Sequence, residues 1–324
     1  MEKSVIITGA NVGIGFAAAR YFAGIGGWHV VLACRNAEKG ETARSEIQRL
    51  EPGASVSTLR LDLYSLESVQ AFVEAVCAAE HPPIHALVLN AGGINMKARE
   101  LEFSSEGFER TFQLNFLGHF VLTQLLLNQL AHPARIVFVS SDLHDPAATR
   151  MGKLTPPRYG AVADAALARG PFAKMSPMAR YATAKMFAIM CAYELDRRLK
   201  EVGLGNAICV NSWSPGVVPT TQAGRDMPAL LKLIMTSAWF VKLMGSHLAT
   251  EEEAARSLGR LILDPKFART SGRYFDGDRE IPSSIESRDP SKARDVWEQT
   301  TRLAVEAHPN LVSLGRLMPV LAET

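Results

Sequence analysis

Val5-Ile6-Ile7-Thr8-Gly9-Ala10-Asn11-Val12-Gly13-Ile14-Gly15-Phe16 stands at the head of the chain and decides its fold. An apolar run of strand character passes into a loop with three glycines, and a helix-forming run follows at once. A pyrophosphate seats at a helix N-terminus, where backbone N–H groups and the helix dipole face it. Glycines let the backbone come that close. Glycine loops also make simple turns, but here the loop lies between a strand and a helix at the start of an alternating chain. That context predicts a dinucleotide-binding loop formed by Gly9, Asn11, Val12, Gly13, Ile14 and Gly15.

Outward from this loop the alternation continues. Short runs rich in Val, Ile and Leu read as strands at 5–8, 29–33, 57–61, 86–89, 135–140, 208–212 and 272–275. They are apolar on both faces, as buried parallel strands are. Segments of helical periodicity lie between them at 16–24, 37–50, 66–79, 106–130, 179–202 and 251–263. The pattern predicts an α/β fold: a single doubly wound parallel sheet of Rossmann type, flanked by helices. There is no composition break, so residues 1–324 are expected to form one domain, with 308–324 as a tail.

Two segments fall outside the alternation. Residues 142–177, rich in Pro, Gly and Ala, form a long insertion. Residues 217–248 are apolar and bear Met227, Met235 and Met244. Connections of that length are usually functional. The second reads as a helical substrate lid over a bulky lipophilic or polycyclic substrate, or as an ordinary core or oligomer-contact helix.

Composition narrows the function. The 324 residues carry 35 basic and 33 acidic side chains, a net charge of +2, which gives nucleic-acid binding no support. With 47% hydrophobic and 21% charged residues, the chain is an ordinary globular one. Cys34, Cys77, Cys191 and Cys209 are too far apart for a zinc knuckle or a disulfide framework, and read as reduced, buried thiols. His119, His144 and His247 lack ligand spacing, so no metal is expected. The first apolar run is too short for a signal-peptide core, and Lys232 and Lys242 interrupt the longest apolar stretch. A soluble, cytoplasmic protein without a membrane span is expected.

Charge chemistry appears at the end of the second strand, Ala33-Cys34-Arg35-Asn36, with Lys39 one helical turn on. A site for NAD usually has Asp or Glu there to accept from the ribose 2′-hydroxyl. The acid is absent. Arg35 and Lys39 suit a 2′-phosphate instead, which predicts NADP(H); otherwise both are solvated surface cations. Farther along, Tyr181 and Lys185 lie four apart on a helix and share a face. A phenol with a pKa of about 10 is a weak acid–base group at neutral pH, and a nearby ammonium favours its phenolate. Ser141 ends the fifth strand, where ligands bind in open α/β sheets, with Ser140 as its rival.

These motifs in this order resemble the short-chain dehydrogenase/reductase family over roughly residues 4–305. The spacing Gly9-x3-Gly13-x-Gly15 matches, as do Asp62-Leu63, Asn90-Ala91-Gly92, Asn115, Ser141, Tyr181-x3-Lys185 and Pro215-Gly216. The resemblance implies an oxidoreductase that interconverts a carbonyl and an alcohol. Within it Tyr181 is the proton donor, Ser141 holds the carbonyl oxygen, and Lys185 binds the ribose and lowers the Tyr181 pKa. Asn115 would order a relay water, Asp62 would bond the adenine, and Pro215, Gly216 and Thr220 would hold the carboxamide.

Trp28–Asn36, Ser271–Phe275 and Lys292–Trp297 narrow the resemblance to retinol dehydrogenases and, more closely, light-dependent protochlorophyllide reductases. The latter carry a Cys directly after the Pro-Gly, where this chain has Val217, and Leu89 replaces the first Asn of the usual Asn-Asn-Ala-Gly. The expected partners are a small lipophilic carbonyl or alcohol and, for assembly, either a homodimer or none. Two rival functions are a C=C reductase of the protochlorophyllide type and a nucleotide-binding regulatory protein without turnover.

Overall fold

The computed structural model describes residues 2–96, 100–219, 237–243 and 246–311. Its centre is an eight-stranded sheet: β1 (Lys3–Thr8), β2 (Trp28–Cys34), β3 (Ser55–Arg60), β4 (Ile84–Leu89), β5 (Leu130–Val139), β6 (Ile208–Ser214), β7 (Arg273–Asp276) and β8 (Arg279–Ile281). The strand order is β3-β2-β1-β4-β5-β6-β7-β8, parallel from β3 to β7, with β8 antiparallel to β7. The doubly wound parallel sheet expected from the sequence is present, and β8 adds one antiparallel strand at its edge. Gly277, at φ +58°, turns Asp276 back onto Arg279.

Period-two alternation puts each strand between two cores. On β1, Ile6 joins one core while Val5 and Ile7 join the other. Helices α1 (Gly13–Gly24) and α2 (Ala37–Leu50) cover one face. On the opposite face lie α3 (Leu66–Ala78), α4 (Gly118–Leu126) and α5 (Pro177–Glu201). Two later helices complete the layers. The first, α6 (Glu251–Leu263), packs beside α1; the second, α7 (Pro290–Ala307), lies along α5. On α6 the Thr250–Glu253 capping box satisfies the first turn, and Ala254, Leu258 and Leu261 form its apolar stripe.

The structure corrects some expectations and adds detail to others. The helix expected over 106–130 is broken: a π turn at Gln113–Leu117 precedes α4, and Leu130 already belongs to β5. The insertion at 142–177 is structured, with one-turn helices at Arg150–Leu154 and Val162–Ala166. Helix α7 was not read from the sequence, although Asp289 caps it and Pro290 occupies its first turn. Cys77 is exposed: on α3 the buried stripe is Val69, Phe72 and Val76, and Cys77 falls beside it.

Most of the expected lid, and all but the first residues of the tail, lie outside the described residues. Within the lid segment, Ala238–Leu243 is helical, and Val217 and Leu248 pair as an isolated bridge. No helix among the described residues is long and apolar enough to cross a membrane.

Candidate active site

The chain runs outward in opposite directions from β1 and β4, and the crevice at such a switch point is where open α/β sheets bind ligands. A cleft of about 630 Å³ opens there. Gly9, Asn11, Val12, Gly13, Ile14 and Gly15 line it after β1. Among the longer helices α2, α3, α5, α6 and α7 have side-chain caps; α1 begins at Val12 with none, so its first N–H groups face the cleft unspent by a cap. A Cβ on Gly15 would strike the Gly9 carbonyl and come within 2.5 Å of the Asn90 amide, so only glycine fits that approach.

A buried polar knot fixes this loop against the turn after β4. The Thr8 hydroxyl accepts from the N–H groups of Asn90 (2.8 Å) and Ala91 (2.9 Å), and Asn90 Nδ2 donates to the Thr8 carbonyl (2.8 Å). His119 Nε2 lies 2.9 Å from the same hydroxyl. Both oxygen lone pairs are taken, so the Thr8 hydrogen has two acceptors, His119 Nε2 at 2.9 Å and the Val88 carbonyl at 3.4 Å, and the shorter contact makes the imidazole a neutral acceptor. Burial, aided by the Lys185 charge, pushes the His119 pKa down to about 3. The sequence reading missed this role because Thr8 and His119 are brought together only by the fold.

At the other end of the cleft Arg35, Lys39, Asp62 and Leu63 line the wall after β2 and β3. Asp62 Oδ1 accepts the Tyr64 N–H (3.1 Å), so part of this carboxylate shapes its own turn. Asn90, Ala91 and Gly92 line the floor.

Tyr181 and Lys185 project from the early turns of α5, which Ser176 caps. The Lys185 ammonium donates to the Val139 carbonyl at the end of β5 (2.7 Å) and lies 5.6 Å from the centre of the Tyr181 ring. Burial lowers the Lys185 pKa to about 8. Ser141 hydrogen-bonds Tyr181, and its hydroxyl lies 3.3 Å from Asp142 Oδ1. Ser140 is buried and its hydroxyl has no partner among the described residues, so of the two serines Ser141 is the one joined to Tyr181.

Three expectations change here. The Tyr181 phenol is raised, not lowered: burial acts first and the Asp142 carboxylate second, opposed by the Ser141 hydrogen bond. The Lys185 ammonium gives its hydrogen bond to the Val139 carbonyl, and the Tyr181 shift carries no contribution from it. Asn115 does not line the cleft. Its amide clamps the chain behind the turn, accepting from Gly93 N–H (3.0 Å) and donating to the carbonyls of Gly93 and Thr111 (2.9 Å each). Thr220 lies outside the described residues.

Pro215 and Gly216 do line the cleft after β6. Gly216 has φ +75°, and a Cβ there would lie 2.6 Å from His247 Cε1. The sequence also missed Asp142 and His144. Asp142 Oδ2 accepts from Ser246 (2.5 Å). Buried His144 accepts the Ser284 N–H at Nε2, so Nδ1–H donates to the Ser141 carbonyl (2.6 Å) and braces that turn. Among the described residues no cluster of His, Cys, Asp or Glu could hold a metal ion.

The cleft fits a nicotinamide adenine dinucleotide phosphate. It has an uncapped helix N-terminus for the pyrophosphate, cations without an ion pair among the described residues at the β2 end, and a glycine approach that a Cβ would fill. Such a sheet with this tyrosine, lysine and serine defines a dinucleotide-dependent oxidoreductase of the doubly wound α/β class.

Comparison with known proteins supports this. Residues 3–162 match the family described as short chain dehydrogenase. A WW domain-containing oxidoreductase from Danio rerio is 36% identical over 94% of this chain and 69% of that protein. A protochlorophyllide reductase from Avena sativa is 32% identical over 92% of this chain and 98% of that protein. An uncharacterised protein from Mycobacterium paratuberculosis superposes with a TM-score of 0.67 at 26% identity, over 94% of this chain and 93% of that one. The chain belongs to the short-chain dehydrogenase/reductase family.

Proposed function

We propose that this protein is an NADP(H)-dependent reductase that converts a carbonyl of a bulky lipophilic substrate to an alcohol. The observation that carries the reading is the Ser141–Tyr181 hydroxyl pair at the end of β5, with the Lys185 ammonium beside it. When bound, the reduced nicotinamide supplies a hydride. Ser141 orients the carbonyl oxygen by donating a hydrogen bond. Tyr181 releases its proton to that oxygen as it becomes an alkoxide. A phenol held protonated by burial and by Asp142 is in the state that reduction requires.

Arg35 and Lys39 at the β2 end support NADP(H) over NAD(H). Leu143, Met151, Met178 and Val241 give the substrate side of the cleft an apolar wall, which supports a lipophilic substrate.

The relatives named as protochlorophyllide reductases favour a second reading, reduction of a C=C bond. Val217 lines the cleft where those reductases carry a Cys, leaving that position without a second proton donor. The test is NADPH oxidation with a panel of lipophilic aldehydes and ketones, in the dark and under light. Dark turnover on bulky carbonyls is expected. Turnover confined to illuminated pigment would overturn the choice of reaction.

A further inference from the structure

We infer that Tyr64 is a positioning residue for cofactor selectivity: its ring holds the Arg35 guanidinium where the adenosine 2′-phosphate is read. The inference rests on the NADP(H) reading and names how that preference is built.

Arg35 leaves the end of β2, exposed to solvent and without an ion pair among the described residues. An unrestrained arginine there would lose much rotamer freedom on gripping a phosphate. Its guanidinium instead lies over the Tyr64 ring, 5.4 Å from the centroid. A guanidinium held by the π face of a ring keeps N–H groups for phosphate oxygens.

Tyr64 is itself restrained from several sides. Its N–H is held by Asp62 Oδ1, and the Arg110 guanidinium lies 4.4 Å from its ring centre and hydrogen-bonds its hydroxyl. Arg110 is in turn tied to Glu102, through its N–H to the Glu102 carbonyl (3.0 Å) and through its side chain to the carboxylate (3.5 Å). The two cations on the ring therefore differ. Arg110 has a carboxylate partner and braces the platform. Arg35 lies on the same platform with its donors unspent among the described residues, and all three side chains line the cleft.

The test uses calorimetric binding of 2′,5′-ADP and of 5′-AMP to the full chain, with thermal melts as a control for folding. Wild type is expected to bind 2′,5′-ADP more tightly than 5′-AMP. Tyr64→Leu keeps an apolar side chain without the π face. It should weaken 2′,5′-ADP by about 3- to 30-fold, the range of a partly desolvated cation–π contact, and leave 5′-AMP within about twofold. Tyr64→Phe keeps the ring but not the hydroxyl that Arg110 bonds, and should recover most of the affinity. Arg110→Gln, at a half-exposed side chain that need not disturb folding, should show a smaller loss of the same ligand-selective kind. Unchanged 2′,5′-ADP affinity in Tyr64→Leu, or equal losses for both ligands, would overturn the role of Tyr64. A wild type that does not discriminate the two ligands would instead overturn the NADP(H) reading itself.

Discussion

Tyr181 is kept protonated by burial and by the charge of Asp142, and it hydrogen-bonds Ser141. Removing its hydroxyl takes away the proton donor and little packing. Tyr181→Phe is therefore expected to retain NADPH binding and to lose at least about 10²-fold in turnover, the lower range for a positioned acid. Single-turnover rates beside a binding titration would check this, and near-wild-type rates would remove Tyr181 from the chemistry. Arg35 acts on recognition instead. Arg35→Ala should weaken NADPH by about 10- to 150-fold, the worth of one or so charge-assisted hydrogen bonds, and NADH far less. Comparing the two dissociation constants decides it, since equal weakening would return Arg35 to a surface cation.

Among the elements, Asn115 shows what a motif leaves unsaid. Its place in the sequence is readable, but the π turn at Gln113–Leu117 is not, because whether a carbonyl bonds five or four residues on is set by the packing of Phe112, Phe116 and Phe187. The structure spends the Asn115 amide on Gly93 and Thr111. Asn115→Leu would leave the Gly93 N–H and carbonyl, half-buried at the cleft wall, without their side-chain partner, at about 0.5–1.5 kcal/mol for each bond lost. Urea denaturation should show that loss, and NADPH affinity should fall with it. Unchanged stability with lost turnover would favour a relay role instead.

The same contrast runs through the fold. Strands β1, β2, β4, β5 and β6 and the glycine loop were legible because burial between two helical layers forces apolar runs and close backbone approach forces glycine. The antiparallel β8 is three residues long, too short for periodicity to show, though Asp276-Gly277 is a turn signal. Helix α7 carries the capping signals of Asp289 and Pro290 but lies beyond the last expected strand, where alternation no longer predicts a helix.

At the scale of the whole molecule, two histidines tie its halves together at the cleft. His119 joins α4 to the ends of β1 and β4 through Thr8; His144 joins the Ser141 turn to Ser284, ahead of α7. Both imidazoles accept a hydrogen bond, from the Thr8 hydroxyl and from the Ser284 N–H, so both are neutral in the fold. Burial lowers both pKa values, that of His119 to about 3. An unfolded chain takes up these protons near pH 6.5, whereas folded His119 resists until about pH 3. Between those values the unfolded state binds more protons, so stability falls as the pH drops through that window. His119 alone contributes a slope of up to about 1.4 kcal/mol per pH unit. Urea denaturation at pH 7, 6 and 5 is therefore expected to show a progressive loss. His119→Gln, whose amide oxygen can still accept from Thr8, should flatten the slope below pH 6.5 while leaving stability at pH 7 within about 1–2 kcal/mol. An unchanged slope would mean that the Thr8 knot tolerates an imidazolium, and that the cleft is not held together by a neutral His119.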